Sequence, residues 1–154
     1  MRRVLIWAVA VAVAACSKGE PAAPVLGPPT PFALTGLQLK IDAPGNATLD
    51  RQTASDAALS WPSVRLSIRN NNSGLNAPSL ERAVAAVTGA RISKQERTAD
   101  GWELRYDDTL AGDKLYTVSI HRTIAEVALE CTGSSGTTTG ADSIAAACAT
   151  LRPK

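Results

Sequence analysis

The chain has 154 residues, with 16 basic and 14 acidic side chains, one histidine and three cysteines. Arg2 and Arg3 account for the whole formal charge of +2, so the part after residue 15 is neutral, with 14 charges of each sign. Nothing in this balance suggests nucleic-acid binding or a polybasic membrane contact. The few aromatic residues leave the core to Val, Leu, Ile and Ala.

Met1-Arg2-Arg3 is a short basic start, and residues 4–14 are an unbroken apolar run. At about 11 residues the run is well short of the ~20 needed to span a bilayer as a helix. A charged start, a short apolar middle and a small-residue end is the layout of an export signal that is removed. Val13-Ala14-Ala15-Cys16 resembles the lipobox of bacterial lipoproteins, with valine where leucine is commonest. The resemblance implies a cleaved signal over residues 1–15 and a lipidated Cys16 as the first mature residue. Two or three acyl chains, at ~0.8 kcal/mol per buried methylene, anchor a protein stably without crossing the membrane. Ser17 follows, where an aspartate would favour inner-membrane retention in enterobacteria. In a Gram-negative host the expected site is therefore the outer membrane, facing the periplasm.

Residues 16–31 read as a tether, because Glu20-Pro21-Ala22-Ala23-Pro24 and Gly27-Pro28-Pro29-Thr30-Pro31 repeatedly remove backbone donors and fix φ. The domain is expected over residues 32–154. Leu37, Leu39 and Ile41 alternate with polar residues, which predicts a half-buried strand ending at the turn Ala43-Pro44-Gly45-Asn46. Residues 47–60 are ambiguous, with room for a short strand at 47–49. Val64, Leu66 and Ile68 alternate with Arg65, Ser67 and Arg69 in a second strand.

Residues 78–88 read as a helix, with Leu80, Val84 and Val87 on one face, Asn76 or Ser79 as the cap, and Gly89 after the end. Residues 91–98 form a weakly patterned strand, and Ala99-Asp100-Gly101 a hairpin turn. Trp102, Leu104 and Tyr106 alternate with Glu103 and Arg105. A loop at 107–113 leads to Tyr116, Val118 and Ile120, alternating with Thr117, Ser119 and His121. A last strand places Ala125, Val127, Leu129 and Cys131 together. Residues 132–140 read as a flexible Gly/Ser/Thr loop before a helix at about 142–151, with Ile144, Cys148 and Leu151 apolar-facing.

With Cys16 set aside for lipid, Cys131 and Cys148 remain as an even pair in an exported chain, both facing inward. A disulfide between them is expected, and a ~17-residue loop makes it worth about 3 kcal/mol in the chain-entropy view. The expected fold is α+β, an antiparallel sheet in the order ββαβββα with the helices packed on one face. The Gly36-Leu37-Gln38-Leu39 strand, the helix ending at Gly89, the Asp100-Gly101-Trp102 hairpin and the closing Ala149-Thr150-Leu151-Arg152 resemble the Mog1/PsbP-like α/β fold. That resemblance implies an assembly factor or accessory subunit and supplies no reaction.

Catalytic constellations are not found. His121 falls on the polar side of its strand, where it reads as a solvated histidine, and Gly133-Ser134-Ser135-Gly136 lacks the nucleophile-elbow spacing. One histidine and two bonded cysteines do not make a transition-metal site. Asp107, Asp108 and Asp113 lack the layout of a calcium loop and read as a solvated hairpin loop. There is no phosphate-binding glycine motif. The expectation is therefore no catalytic residues, no cofactor and no metal.

The feature left over is a polar sheet face of Arg65, Arg69, Glu103, Arg105, His121, Glu126 and Glu130. It reads either as a solvated face laced with ion pairs or as a docking surface for a protein partner. The expected function is a non-enzymatic accessory or assembly lipoprotein of the cell envelope, held to the membrane by lipid and binding an envelope protein. The alternative is a small-molecule or lipid binder with a pocket lined by Trp61, Trp102 and Tyr116.

Overall fold

The computed structural model describes residues 25–71 and 79–154, so the expected signal, Cys16 and most of the tether lie outside the described residues. Strand β1 (Pro29–Leu34) runs through a single 3₁₀ turn (Thr35–Leu37) into β2 (Leu39–Pro44), its antiparallel partner. The ladder thus begins at Pro29, inside the expected tether. Two prolines fit there because β1 is an edge strand. The chain is tied down even earlier: the Asn46 side chain donates to the Val25 carbonyl at 3.1 Å and accepts from the Gly27 N–H at 3.4 Å. A two-residue strand, β10 (Arg152–Pro153), lies on the other side of β2 and completes a small three-stranded sheet.

The second sheet has seven strands: β3 (Thr48–Gln52), β4 (Asp56–Trp61), β5 (Val64–Asn70), β6 (Arg91–Thr98), β7 (Gly101–Leu110), β8 (Asp113–Ile124) and β9 (Val127–Ser135). Its spatial order is β3-β4-β5-β9-β8-β7-β6, and every neighbouring pair is antiparallel. The α+β class with a mainly antiparallel sheet agrees with expectation, but the order ββαβββα does not. Five strands make up the difference: four escape the pattern, and the expected order counts three strands between the helices where the alternation marks four. β1 holds prolines, β3 is an exposed edge strand with a bulge after Leu49, β10 is too short to show a pattern, and β4 hides its period. In β4, Ala57, Leu59 and Trp61 are buried and alternate with Asp56, Ala58 and Ser60, but alanine on both faces masks the contrast.

The expected loop at 107–113 is also strand. Ala111 and Gly112 have φ of 54° and 89° and join β7 to β8 in two residues, so residues 107–113 form a continuous hairpin. Ala125 and Glu126, at φ 49° and 65°, do the same between Ile124 and Val127, so Ala125 is a turn residue and not part of β9. Both turns need two left-handed residues in succession, as the tightest hairpins do.

The helices pack on opposite faces of the large sheet. α1 (Leu80–Ala86) starts at Ser79, whose Oγ accepts the Arg82 N–H at 3.3 Å. It packs Leu80, Ala83, Val84 and Val87 on Trp102, Leu104 and Tyr106 of β7. α2 (Thr138–Ala149) packs on the other face, between the large sheet and β2, and with Leu34, Ile41, Leu59, Leu66, Ile68, Val118 and Leu129 makes the main core. The expectation of one helical face fails because β7 and β8 direct their apolar sets to opposite sides. Trp102 lies opposite His121, while Val118 lies opposite Arg105.

α2 begins a turn earlier than expected, and residues 132–135 are the end of the central strand β9 rather than a flexible loop. The small residues there serve packing. A Cβ on Gly133 would stand 3.0 Å from Ile144 Cδ1, and one on Gly140 would stand 2.0 Å from Ser135 Oγ. Helix and strand can approach this closely only because both positions lack one. The Trp61 indole N–H donates to Ser143 Oγ at 3.0 Å, and the Arg122 guanidinium donates to the carbonyls of Cys148, Ala149 and Leu151 at 3.0–3.3 Å. Arg122 therefore satisfies the carbonyls left open at the C-terminal end of α2. The Cys131–Cys148 disulfide joins β9 to α2 across a Cα separation of 6.0 Å.

Candidate interaction face of the large sheet

Cross-strand pairing arranges the α1 side of the large sheet in rows. The first row is Asp56, Arg69, Glu130, His121, Trp102 and Arg97; the second is Ala58, Ser67, Thr132, Ser119, Leu104 and Gln95. A third holds Ser60, Arg65, Ser134, Thr117 and Tyr106. α1 covers the β7 end of these rows. Over β4, β5 and β9 no described element covers the face: Arg65 and Arg69 are exposed, and Ser67, Thr132 and Ser134 are half-buried.

Two depressions sit on this open half. One, of about 160 Å³, is lined by Ser67, Arg69, Glu130 and Thr132. The other, of about 560 Å³, extends it past Arg65, Ser134 and Thr117 to Asp50 and Arg51 on β3. Arg51 is occupied by Asp56 at 2.9 Å, whereas among the described residues Arg65 and Arg69 have no ion-pair partner. The Ser67 Oγ is buried at the floor without a hydrogen-bond partner. Buried polar atoms are seldom left so.

His121 departs most from expectation. It is 7% exposed, its ring is stacked on the Trp102 indole with centroids 5.8 Å apart, and its Nε2 has no hydrogen-bond partner. Burial pushes its pKa below the ordinary 6.5, and the Glu130 carboxylate opposes that without cancelling it. Alternation placed His121 correctly on the side away from Val118 and Ile120; it did not show that Trp102 covers that side. This ring is part of the packing around Trp102 and does not face solvent.

The expected interaction face also divides. Arg65, Arg69, His121 and Glu130 share the α1 side, but Glu103 and Arg105 point to the α2 side. There Arg105 reaches Asp142 of α2 at 2.7 Å and also binds Glu103, which in turn accepts from Lys94 at 2.8 Å. Burial pushes the Glu103 pKa up, but hydrogen bonds from Lys94 and Arg105 outweigh it and hold the carboxyl below its usual range. This cluster joins β6, β7 and α2, and its charges are mutually satisfied. Glu126 lies in the β8–β9 turn, outside either face. Asp107 pairs with Lys114 at 3.0 Å, so the acidic run of the hairpin does not converge. Among the described residues no three His, Cys, Asp or Glu side chains cluster in a way that could hold a metal ion.

The proposed aromatic pocket is not formed. Trp61 belongs to the main core, Tyr116 packs at its margin, and Trp102 lies on the other side of the sheet. A different cleft exists that the sequence did not signal. It is an apolar groove of about 610 Å³ between the outer side of α2 (Ser143, Ala146, Ala147, Thr150), the end of β2 and the Leu26–Pro29 segment. Its lining is small residues and proline from three separated segments, a pattern no local periodicity marks.

The fold and the two faces define an α+β domain with a disulfide-pinned C-terminal helix. No protein-family model matches the chain, and no curated protein does. A crystal structure of a protein from Bacteroides thetaiotaomicron VPI-5482, at 1.50 Å resolution, is similar in fold, with a TM-score of 0.54 at 13% identity. The match covers 84% of this chain and 49% of that one, so this chain spans about half its length. Among the described residues no helix is long and apolar enough to cross a membrane.

Proposed function

We propose that the chain is a membrane-anchored lipoprotein of the cell envelope, and that its α+β domain is a non-enzymatic accessory module that docks a protein partner. The anchor rests on the export signal ending at Cys16. The docking role rests on one observation above the others: the open half of the large sheet carries two arginines without ion-pair partners among the described residues, both on β5, an interior strand of that sheet. Arginine is enriched at protein interfaces because its planar fork binds carboxylates in two-point fashion and its stem covers apolar surface. The attachment is at the outer membrane facing the periplasm in a Gram-negative host, and no nucleic acid or cofactor takes part. The resemblance to the Mog1/PsbP-like fold fits an accessory role of this kind.

The anchor is tested by Cys16→Ser, which should move the protein from washed membranes to the soluble fraction; a variant that stays membrane-bound refutes lipid anchoring. Docking is tested by in-cell crosslinking of the full-length protein, where one partner in near-stoichiometric amount is the expected result. A second reading, a small-molecule or lipid binder, is favoured by the apolar groove beside α2. A co-purifying lipid or metabolite without a protein partner would select it.

A further inference from the structure

We infer that the open half of the large sheet takes an extended acidic segment of its partner, with two carboxylates four residues apart. This rests on the docking reading above and specifies its ligand. Arg65 and Arg69 lie at i and i+4 on β5, so they project to the same side and are separated by about 13 Å at ~3.3 Å per residue. An extended segment laid along β5 repeats that spacing, placing its residues i, i+2 and i+4 over Arg65, Ser67 and Arg69. The two outer positions meet guanidiniums that are exposed and have no partner among the described residues. Carboxylates are the groups that satisfy them two-point. The middle position lies over Ser67 and the neighbouring Thr132, a polar stretch between the two guanidiniums that suits a small polar residue.

The surrounding charges narrow the ligand further. Glu130 lines the depression at the Arg69 end and Asp50 lines it on β3, while Arg51 is already paired with Asp56. A dense polyanion, such as a polyphosphate or a teichoic-type chain, would bring charge against both carboxylates. Two isolated carboxylates bring a single charge near Glu130, the cross-strand neighbour of Arg69, where a polyanion would bring several.

The test uses the full chain in detergent, isotopically labelled, titrated with the peptide acetyl-Glu-Ser-Ser-Ser-Glu-amide. Controls are the same peptide with lysine for glutamate, one with its glutamates three apart, and inorganic polyphosphate. The expected result is amide shifts at Ser67 and Thr132, an affinity reduced about tenfold or more by Arg65→Ala with Arg69→Ala, and weakening with salt. Arg65→Lys with Arg69→Lys should fall between, since it keeps charge and loses the fork. No shifts at the face, equal binding of the three-apart peptide, or tighter binding of polyphosphate would each overturn the inference. The two readings fail separately. Photo-crosslinks from the face to a neutral partner segment would sink the acidic ligand and leave docking standing, whereas no crosslinks from the face would remove docking itself.

Discussion

The two sides of the large sheet use the same strands for opposite purposes. On β5, Val64, Leu66 and Ile68 are buried beneath α2, while Arg65 and Arg69, between and beyond them, are exposed. The α2 side is a closed core in which strand, helix and small sheet interlock, helped by Gly133 and Gly140 and pinned by the disulfide. Among the described residues the other side is covered at one end only, where the seven-residue α1 reaches Trp102 and Leu104, and is left polar over β5 and β9. The difference separates stability from recognition: substitutions on the first side should unfold the domain, and those on the second should leave it folded and cost it a partner.

The largest effect is expected at Ile144, fully buried where α2 meets β9. Ile144→Ala should lower unfolding free energy by about 3–4 kcal/mol in a urea melt. Reducing the Cys131–Cys148 bond should cost about 3 kcal/mol in the same assay, and thiol labelling of the denatured, non-reduced protein should find neither cysteine free. On the opposite side Leu80→Ala removes a contact from a cluster with only three buried members among the described residues, and the expected loss is about 2 kcal/mol.

A smaller effect depends on pH. The His121 pKa is lowered in the fold, so the unfolded chain binds more protons just below 6.5. Stability from this group is therefore complete above 6.5 and declines as pH falls from 6.5 towards the lower folded value. The Glu103 carboxyl is held below its ordinary 4.5, so its contribution is lost as pH falls below that value towards the lower folded one. His121→Phe, which keeps a ring against Trp102, should flatten the upper limb in melts taken at intervals across it. The smallest effect on stability belongs to Arg65→Ala and Arg69→Ala, within about 0.5 kcal/mol of the parent. A loss well above that would mean these arginines hold the fold together.

Much of this contrast was legible in single strands. The alternation of β2, β5, β7 and β8, the Ser79 cap, Gly89 with its φ of 88°, and the inward-facing cysteines all follow from residue spacing. What spacing does not carry is the side to which each strand turns its apolar set. That is fixed by register between strands, and it is why Glu103 and Arg105 parted from Arg65 and Arg69, and why His121 is buried. Small residues were the other blind spot. Ala57-Ala58 concealed β4, and Thr132, Gly133, Ser134 and Ser135 read as loop because the close approach of α2 demands little side-chain volume. Gly36-Leu37-Gln38-Leu39, read as a strand, is a 3₁₀ turn entering β2, with Gln38 left-handed.

The most direct test is site-specific photo-crosslinking in cells, comparing a photoreactive residue at position 65 on the open sheet face with one at position 146 on the groove beside α2. Docking on the open sheet face predicts a discrete protein adduct from position 65 and none from position 146. An adduct from position 146 alone, or a lipid adduct there with nothing from 65, would contradict it and make the groove the functional surface.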